Sequence, residues 1–474
     1  QFFQVTGAGL GTSSMTVMGL ANAADPVFKK PNKLEKTTET RSTCPYCSVS
    51  CGVLLYSAKD ATGKQKVVHV EGDTDNPVNK GTLCPKGAGL LDMIDSPDRL
   101  QFPEVREPGS KEFKRISWEE ALKIATDTLA PIRANAPEKL AFFTGRDQSQ
   151  SFTSFWAQGF GTPNYAAHGG FCSVNMAAAG IYTMGGAFWE FGQPDWDHTK
   201  LFMLFGVAED HDSNPIKMGL GRLKERGAKV IGVNPIRTGY NAISDEWVGI
   251  TPGTDGLFIL SMVHLLLKAG KVDLNYLAQL TNAPALVDST EGPNKGMLLR
   301  GADGKLLVID RKTGKPVAFD TKGITPDLAA TYEGHRTVFQ HLAERYLSDD
   351  YAPENVAERC GISADRIRAI AADLARVAFD EAFELDQPWT DFRGNRHDKM
   401  IGRPVSFHAM RGVSAHSNGF QTCRSLHLLQ IILGSVEVPG GFRFKPPYPK
   451  PVSAHPKPHC KVTPGAALDG PHLG

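Results

Sequence analysis

Apolar residues follow a strand, helix and strand pattern between positions 201 and 235. The run 201–206 is short and apolar, which is typical of a buried strand. Segment 213–226 has Ser213 or Asn214 as an N-cap, Gly227 as its stop, and apolar residues at helical spacing, namely Ile216, Leu220 and Leu223. Positions 229–235 form the next strand-like run. This order predicts a parallel sheet and a doubly wound α/β fold.

A second pattern, nearer the start of the chain, is typical of a small β unit. Positions 52–56 and 66–71 read as two strands, and 61–64 reads as the turn between them. Much later, 298–310 predicts a hairpin, followed by a further turn at 312–315. We therefore expect a small β-rich domain followed by doubly wound parallel α/β domains.

Composition and charge narrow the classes of function. The chain has 474 residues, room for two to four domains at roughly 100–200 residues each. Its hydrophobic share of 41% and charged share of 22% are ordinary for a globular protein. The formal net charge of +1 gives no reason to expect binding to nucleic acid or to an acidic membrane surface.

The N-terminal residues read as a targeting segment. A mildly apolar stretch, 5–20, precedes Ala21-Asn-Ala-Ala24, which resembles a cleavage site. Gln1-Phe-Phe-Gln4 resembles the residues after the arginine pair of a twin-arginine signal, so residues 1–30 predict export to the periplasm. If they are only an N-terminal arm, the protein would be cytoplasmic. No segment is apolar enough for a direct membrane span, so attachment to a membrane would need a partner.

Four of the eight cysteines form a motif of their own. Cys44, Cys47 and Cys51 have the spacing C-x2-C-x3-C, and Cys84 follows after 32 residues in C-P-K-G. Four thiolates suit a cubane [4Fe–4S] cluster, with one sulfur for each iron. Zinc is the competing metal, but its sites favour two C-x2-C pairs. Disulfides fit least, because three thiols within eight residues pair badly with one another.

The sequence around these cysteines resembles a known family. Segments 40–52, 70–73, 77–79 and 84–89 are similar to the N-terminal domain of catalytic subunits in the dimethyl-sulfoxide-reductase superfamily of molybdopterin oxidoreductases. Within this part, membrane-linked formate dehydrogenases look nearest, and the resemblance continues to about residue 442. It implies a [4Fe–4S] cluster and molybdenum (or tungsten) held by two molybdopterin guanine dinucleotides. It also places Lys86 between the cluster and the proximal pterin, although Lys86 could be simply a solvated lysine.

Three loops are expected beyond the carboxyl ends of the strands, namely 206–211, 234–238 and 252–256. Ligands of open α/β sheets bind beyond the carboxyl ends of the strands, and backbone N–H groups there hold phosphates. Each loop alone would more often be an ordinary turn. Together they resemble the loops that hold the guanosine and pyrophosphate ends of the cofactor. The resemblance assigns cofactor contacts to Gly206, Glu209, Asn214, Asn234, Pro235, Arg237, Thr238, Gly253 and Asp255.

Particular roles follow for some of these residues. Arg237 can add positive charge and Thr238 a hydroxyl to a phosphate contact, while Asp255 can accept hydrogen bonds from a guanine edge. One departure from the family is Asn214-Pro215, where relatives usually have a histidine before the proline. It leaves the helix start intact but removes a histidine contact.

Cys172 is the candidate protein ligand to molybdenum. It follows a Gly-rich loop and precedes a predicted helix, and a helix N-terminus favours the thiolate. Its position matches the metal ligand of the resembling family; the alternative is a buried structural cysteine. Formate dehydrogenases usually follow this ligand with a histidine, whereas Ser173 follows it here. His168 is the nearest imidazole and is therefore a further catalytic candidate. Segment 161–165, followed by His168 and Cys172, resembles the branch of membrane-linked sulfite dehydrogenases and of polysulfide, thiosulfate and tetrathionate reductases.

Arg424 is the candidate substrate contact. The stretch 411–426 resembles the family segment that brings an arginine over the metal, and His416 in this stretch is a further cofactor-binding candidate. A guanidinium is a planar fork of donors for an anion, so Arg424 predicts a small anionic substrate. The alternative is an arginine on a helix surface.

The expected organisation is a cluster domain at 38–100, an α/β domain at 101–167 that resumes at 428–474, and a pterin dinucleotide domain at 168–427. Catalytic subunits of this family are longer, so the C-terminal domain is expected to be missing here. The prediction is an oxidoreductase acting on a sulfur compound. The alternatives are formate dehydrogenase and a non-catalytic electron-transfer subunit. A membrane anchor and a ferredoxin-like iron–sulfur subunit are the partners that the resemblance implies.

Overall fold

The structure is a computed structural model that describes residues 33–443 except 48, 146–149, 168–173, 187–192, 208–213, 238 and 410. The chain divides into two compact units. One contains the described residues up to Cys44 together with Ser50–Arg99. The other contains Pro45–Val49 and the described residues from Leu100 onward.

The first unit is built on a three-stranded antiparallel sheet of β1 (Thr38–Thr43), β2 (Gly52–Lys59) and β3 (Gln65–Gly72), in that order. The predicted strands over 52–56 and 66–71 and the turn between them are confirmed. Strand β1 was not predicted, because its polar, fully exposed residues give no alternation of apolar and polar positions. Two short helices follow, Pro85–Ala88 and Leu90–Asp95.

The second unit begins with a region that leaves much apolar surface uncovered. Helix α1 (Trp118–Asn135) has Ser117 as its N-cap but contains no buried residue. Helix Gln150–Phe160 and a parallel pair of strands, Phe142–Thr144 and Tyr165–Ala167, complete the region. Trp118 is 61% exposed and Phe143 is 69% exposed. Parallel strands are ordinarily covered on both faces, so this surface is of the kind that folded proteins bury.

A four-stranded parallel sheet is the centre of the second unit. Its strands are β4 (Leu201–Phe205), β5 (Lys229–Val233), β6 (Glu246–Val248) and β7 (Val405–Ala409), in the spatial order β6-β5-β4-β7. Helix α2 (Val174–Met184) precedes the sheet, and α3 (Asn214–Glu225) connects β4 to β5. The predicted strand, helix and strand are confirmed with these bounds.

Helices cover both faces of this sheet. On one face Met203, Phe205 and Phe407 pack in a core with helices α4 (Asp255–Lys268), α5 (Ala364–Ala375) and α6 (Gly419–Ile432). On the other face Phe202 and Leu204 pack with the apolar side of α3. Alternate residues of β4 therefore enter two different cores, as the period of two in a strand requires. The predicted doubly wound α/β fold is confirmed.

Smaller elements lie between α4 and β7. Strand Leu307–Asp310 pairs with Lys315–Ala318 around the predicted turn at 312–315. The hairpin predicted over 298–310 is present in a short form, with an antiparallel bridge between Arg300 and Leu306 and a hydrogen bond of 3.0 Å from the Leu307 N–H to the Leu299 carbonyl. The other helices of this region are Leu274–Leu280, Val338–Tyr346 and Pro353–Cys360, with a 3-10 turn at Asp349–Tyr351 and a π-helical turn at Arg376–Asp380. Its other strands are Leu286–Val287, Thr331–Tyr332, His335–Thr337, Phe383–Leu385, Trp389–Thr390, Arg396–His397 and Met400–Gly402. Within the described part of the chain, no helix is long and apolar enough to cross a membrane.

Candidate functional site

Three of the predicted cluster ligands lie at the ends of elements in the first unit. The backbone N–H of Cys44, after β1, donates to the carbonyl of Cys51, before β2, at 2.9 Å. The buried Asn79 side chain accepts from the N–H of Gly52 at 2.8 Å and donates to the carbonyl of Thr82 at 3.0 Å. It thereby ties the residue after Cys51 to the segment that leads into Cys84.

The chemistry of the donor set fits an iron–sulfur cluster. All six cysteines that the structure describes carry thiols, and Cys44 and Cys51 are buried. Among the described residues, however, no three His, Cys, Asp or Glu side chains converge in an arrangement that could hold a metal ion. The assignment of Cys44, Cys47, Cys51 and Cys84 as ligands therefore stays a prediction from their spacing. The same holds for Lys86, which is exposed in the helix Pro85–Ala88.

In the second unit, the order of the strands reverses at β4, which is the switch point of the sheet. The chain passes from β4 to β5 and β6 on one side, and β7 lies on the other side of β4. Gly206 follows β4 with φ of 62°, and a Cβ placed on Gly412, after β7, would lie 2.5 Å from the Gly206 carbonyl oxygen. Two glycines therefore let the loops meet backbone to backbone at the switch point, where open α/β sheets bind their ligands.

Asn234 lies at the carboxyl end of β5, and its side-chain amide has an unpaired hydrogen-bond donor among the described residues. Its side chain is buried, its backbone N–H donates to Val248 and its carbonyl accepts from the Trp247 indole at 2.9 Å. Its Nδ2 has no hydrogen-bond partner among the described residues. Buried polar groups are ordinarily paired, so an orphaned amide at this edge fits a ligand acceptor such as a phosphate oxygen. The neighbouring Pro235 and Arg237 are exposed.

Three predicted cofactor residues meet at the start of α4. Gly253 has φ of 81°, and a Cβ there would lie 3.6 Å from Nδ1 of His416. Asn418 Nδ2 donates to the Gly253 carbonyl at 2.9 Å. Burial raises the pKa of the Asp255 carboxyl, and its own backbone N–H and the nearby His416 oppose part of the rise. New hydrogen-bond donors, such as those of a guanine edge, would stabilise the ionised form of this buried carboxylate.

Helices α2 and α6 are locked together at their N-terminal ends. Asn175, in the first turn of α2, donates through Nδ2 to the Ser414 carbonyl at 2.8 Å. Gly419 starts α6 beside this bond, and a side chain on it would collide with the Ser414 carbonyl. Helix α2 begins two residues after Cys172, and α6 carries Arg424. The bond ties α2 to the short helix Arg411–Ser414 that precedes α6, and α2 and α6 also pack on each other.

Arg424 projects from α6 beside an open cavity. Its side chain is exposed, its Cζ lies 5.7 Å from the centroid of the Phe420 ring, and its Nη1 donates to Gln421 Oε1 at 3.4 Å. Tyr182 of α2 lines the same cavity, which measures about 450 Å³. Arg424 therefore has the exposure that an anion contact needs.

Several predicted residues lie outside the described residues, namely the whole of 1–32 and His168, Cys172, Glu209 and Thr238. Asn214 begins α3, but its side chain is outside them too. Their roles stay predictions. Sequence reasoning missed Gly412, Asn175 and Asn418. Gly412 and Asn418 stand in the stretch 411–426 that resembles the family segment, but only the close approach of two loops gives them a role.

Comparison with known proteins assigns the family. Residues 37–96 match the model of the molybdopterin oxidoreductase Fe4S4 domain, and residues 99–457 match the model of the molybdopterin oxidoreductase family. The chain belongs to the molybdopterin oxidoreductases, and the two domains indicate a [4Fe–4S] cluster and a molybdenum bis-pterin as cofactors. The predicted family, fold class and cofactors are thus confirmed.

The chain is similar to a sulfite dehydrogenase subunit of Allochromatium vinosum, with 42% identity over 95% of this chain and 48% of that protein. It is also similar to the formate dehydrogenase-O major subunit of Escherichia coli, with 29% identity over 93% of this chain and 43% of that protein. The chain spans about half the length of the curated relatives that it matches. Among solved structures, acetylene hydratase from Pelobacter acetylenicus shares the fold, with a TM-score of 0.56 and 18% identity over 83% of this chain and 43% of that one.

Proposed function

We propose that this chain is part of the catalytic subunit of an oxidoreductase that acts on a small sulfur anion, with sulfite as the first candidate. The observation that carries the proposal is Arg424, an exposed guanidinium beside a cavity, on a helix that is fixed against the helix after Cys172. Support also comes from the 42% identity to a sulfite dehydrogenase subunit. Thiosulfate, polysulfide and tetrathionate belong to the same class of substrate.

Each residue of the site has a task in this reaction. Molybdenum held by two pterins supplies the two-electron chemistry when it is bound. Arg424 binds the anion and orients it, because its planar fork of N–H groups matches two oxygens at once. Asn234 and Asp255 hold the two ends of a guanine dinucleotide, one by its amide donor and the other by its carboxylate. Cys44, Cys47, Cys51 and Cys84 hold the cluster through which electrons leave one at a time.

Arg424 can be tested in the full-length enzyme with its partner subunits and cofactors. We expect Arg424→Gln to raise the KM for sulfite at least tenfold, the cost of losing about one charged hydrogen bond. Molybdenum and iron contents should stay at the wild-type level. Arg396→Gln, at an exposed arginine of a hairpin, is the matched control. An unchanged KM in Arg424→Gln would exclude this arginine as the anion contact.

Formate dehydrogenase is the second candidate, favoured by the 29% identity to a formate dehydrogenase subunit. Ser173, the residue after Cys172, disfavours formate oxidation, because a serine hydroxyl is a poor proton acceptor at neutral pH compared with an imidazole. Dye-linked assays of the same enzyme with sulfite, thiosulfate, tetrathionate and formate separate the two. Formate turnover above that of every sulfur substrate would reverse the ranking.

We also propose that the protein is exported folded to the periplasm and works with a membrane anchor and a ferredoxin-like subunit. The pattern of residues 1–24 supports export, and the relatives that are named as subunits support partners. Cell fractionation with and without a functional twin-arginine translocase tests the location. A cytoplasmic protein in both strains would contradict export, and purification of an active single chain would contradict the need for partners.

A further inference from the structure

The cavity beside Arg424 has an aromatic wall that the proposed function does not use. Tyr182, Phe420 and Arg424 surround the cavity of about 450 Å³. A second cavity of about 600 Å³ also has Tyr182 and Arg424 in its wall and continues between apolar side chains such as Leu277 and Phe339. Tyr182 and Arg424 therefore stand where the two cavities meet.

The guanidinium of Arg424 lies over the ring of Phe420. The guanidinium carbon lies 5.7 Å from the ring centroid of Phe420, which is within the range of a cation–π contact. A cation–π contact does not occupy the N–H donors of the guanidinium. Within the described part of the chain, these groups make only the long hydrogen bond to Gln421, at 3.4 Å. Most of the donors of Arg424 thus remain available to an anion.

Tyr182 completes this wall from the other helix. Its ring meets that of Phe420 edge to face, with centroids 6.0 Å apart and planes at 85°. Its side chain is 75% exposed, and its hydroxyl makes no hydrogen bond to any residue that the structure describes. A phenol with an apolar ring against Phe420 and an unused O–H beside a guanidinium is suited to donate to an oxyanion.

We propose that Tyr182 determines substrate specificity by donating its hydroxyl to the anion bound at Arg424, and that Phe420 is a positioning residue for the guanidinium. The proposal rests on the proposed function. Two donors from two helices would orient an oxyanion, whereas Arg424 alone accepts any anion.

Steady-state kinetics of the full-length enzyme with its cofactors and partners tests the role of Tyr182. We expect Tyr182→Phe to raise the KM for sulfite about tenfold and to change kcat less than twofold, since one hydrogen bond to a charged group is lost. The Mo(V) electron paramagnetic resonance signal should also need about tenfold more sulfite to change. Tyr332→Phe, in a strand far along the sequence, is the control and should behave as wild type.

Phe420 is tested by a pair of variants. Phe420→Leu should raise the KM and lower kcat together, because the guanidinium loses its aromatic contact. Phe420→Tyr keeps an aromatic ring and should therefore keep both constants near their wild-type values. An unchanged KM for sulfite in Tyr182→Phe would overturn the specificity role of Tyr182. If the wild-type enzyme still turns over sulfite, the proposed function is unaffected by that result. Failure of the wild type to turn over any sulfur anion would overturn both. If Phe420→Tyr is as impaired as Phe420→Leu, the positioning role is wrong.

Discussion

The carbonyl oxygen of Gly206 lies so close to Gly412 that a Cβ on Gly412 would be 2.5 Å from it. These two glycines follow adjacent parallel strands, β4 and β7, and belong to loops that are far apart in sequence. Their contact lies at the switch point of the sheet, where the strand order reverses. Any side chain on Gly412 must push the two loops apart.

We expect Gly412→Ala to lower the molybdenum and pterin content of the enzyme while leaving the iron content unchanged. The added methyl group displaces the loop after β4, which is a predicted contact of the dinucleotide cofactor. Gly412 is distant in sequence from all four predicted cluster ligands, and three of these, Cys44, Cys51 and Cys84, lie in the first unit. Metal analysis and pterin fluorescence after acid release measure the two losses. Gly221→Ala is the matched control, because a Cβ at Gly221 meets nothing within 4 Å. Full molybdenum loading in Gly412→Ala would show that the close approach is not needed.

The cluster ligands make a second prediction. Cys84→Ser should remove the [4Fe–4S] signal from the electron paramagnetic resonance spectrum of the reduced enzyme, because a cubane needs a thiolate at each iron. Cys360→Ser, at a buried cysteine of the other unit, should keep the signal. A zinc site in place of a cluster would show as zinc without iron in the wild-type protein, and would contradict the assignment.

A buried ion pair between Arg403 and Asp273 makes a prediction about stability. Arg403 Nη2 and Nε donate to Oδ2 of Asp273 at 2.5 and 3.1 Å, and both side chains are largely buried. Arg403→Met leaves the Asp273 carboxylate without its cation, which costs about 3–5 kcal/mol in such pairs. Denaturant unfolding measures the loss, and Arg403→Met combined with Asp273→Asn should recover part of it. A loss below ~1 kcal/mol would mean that water replaces the arginine.

The environment of the Asp391 side chain leads to a prediction about how stability depends on pH. Burial by itself would raise the pKa of Asp391, but hydrogen bonds from Asn395 and His397 outweigh it and lower the pKa to about 2. Because the folded-state pKa lies below the unfolded value of about 3.9, ionised Asp391 stabilises the fold above pH ~4. This stabilisation is lost as the pH falls toward 2.

Asp391→Asn should therefore lower the melting temperature at pH 7 and flatten its decline between pH 4 and pH 2. Thermal unfolding monitored across this pH range provides the measurement. Asp398→Asn, at an exposed carboxylate of the same hairpin, should leave the profile unchanged. Parallel pH profiles for Asp391→Asn and the wild type would mean that Asp391 does not contribute.

The sequence predicted those elements in which local pattern and tertiary environment agree. Strands β4 and β5 are fully or nearly buried, so their apolar runs stand out, and α3 between them has one apolar face. Strand β1 was missed because all six of its residues are exposed and pairing alone makes it a strand. The hairpin predicted at 298–310 forms with a single bridge, whereas Leu307–Asp310 makes its longer ladder with Lys315–Ala318, because apolar alternation does not decide which of two nearby turns closes the longer ladder.

The sequence alone determined the family, the cysteine motif and the order of strands and helices, because these depend on residue type and on spacing along the chain. Only the tertiary structure decided that Gly253, Asp255 and His416 meet, that Gly412 touches Gly206, and that Tyr182 stands beside Arg424. The physical reason is that these partners are brought together by the parallel pairing of β7 with β4 and by the packing of α2 on α6. Such long-range contacts leave no periodic signal in the sequence of either partner.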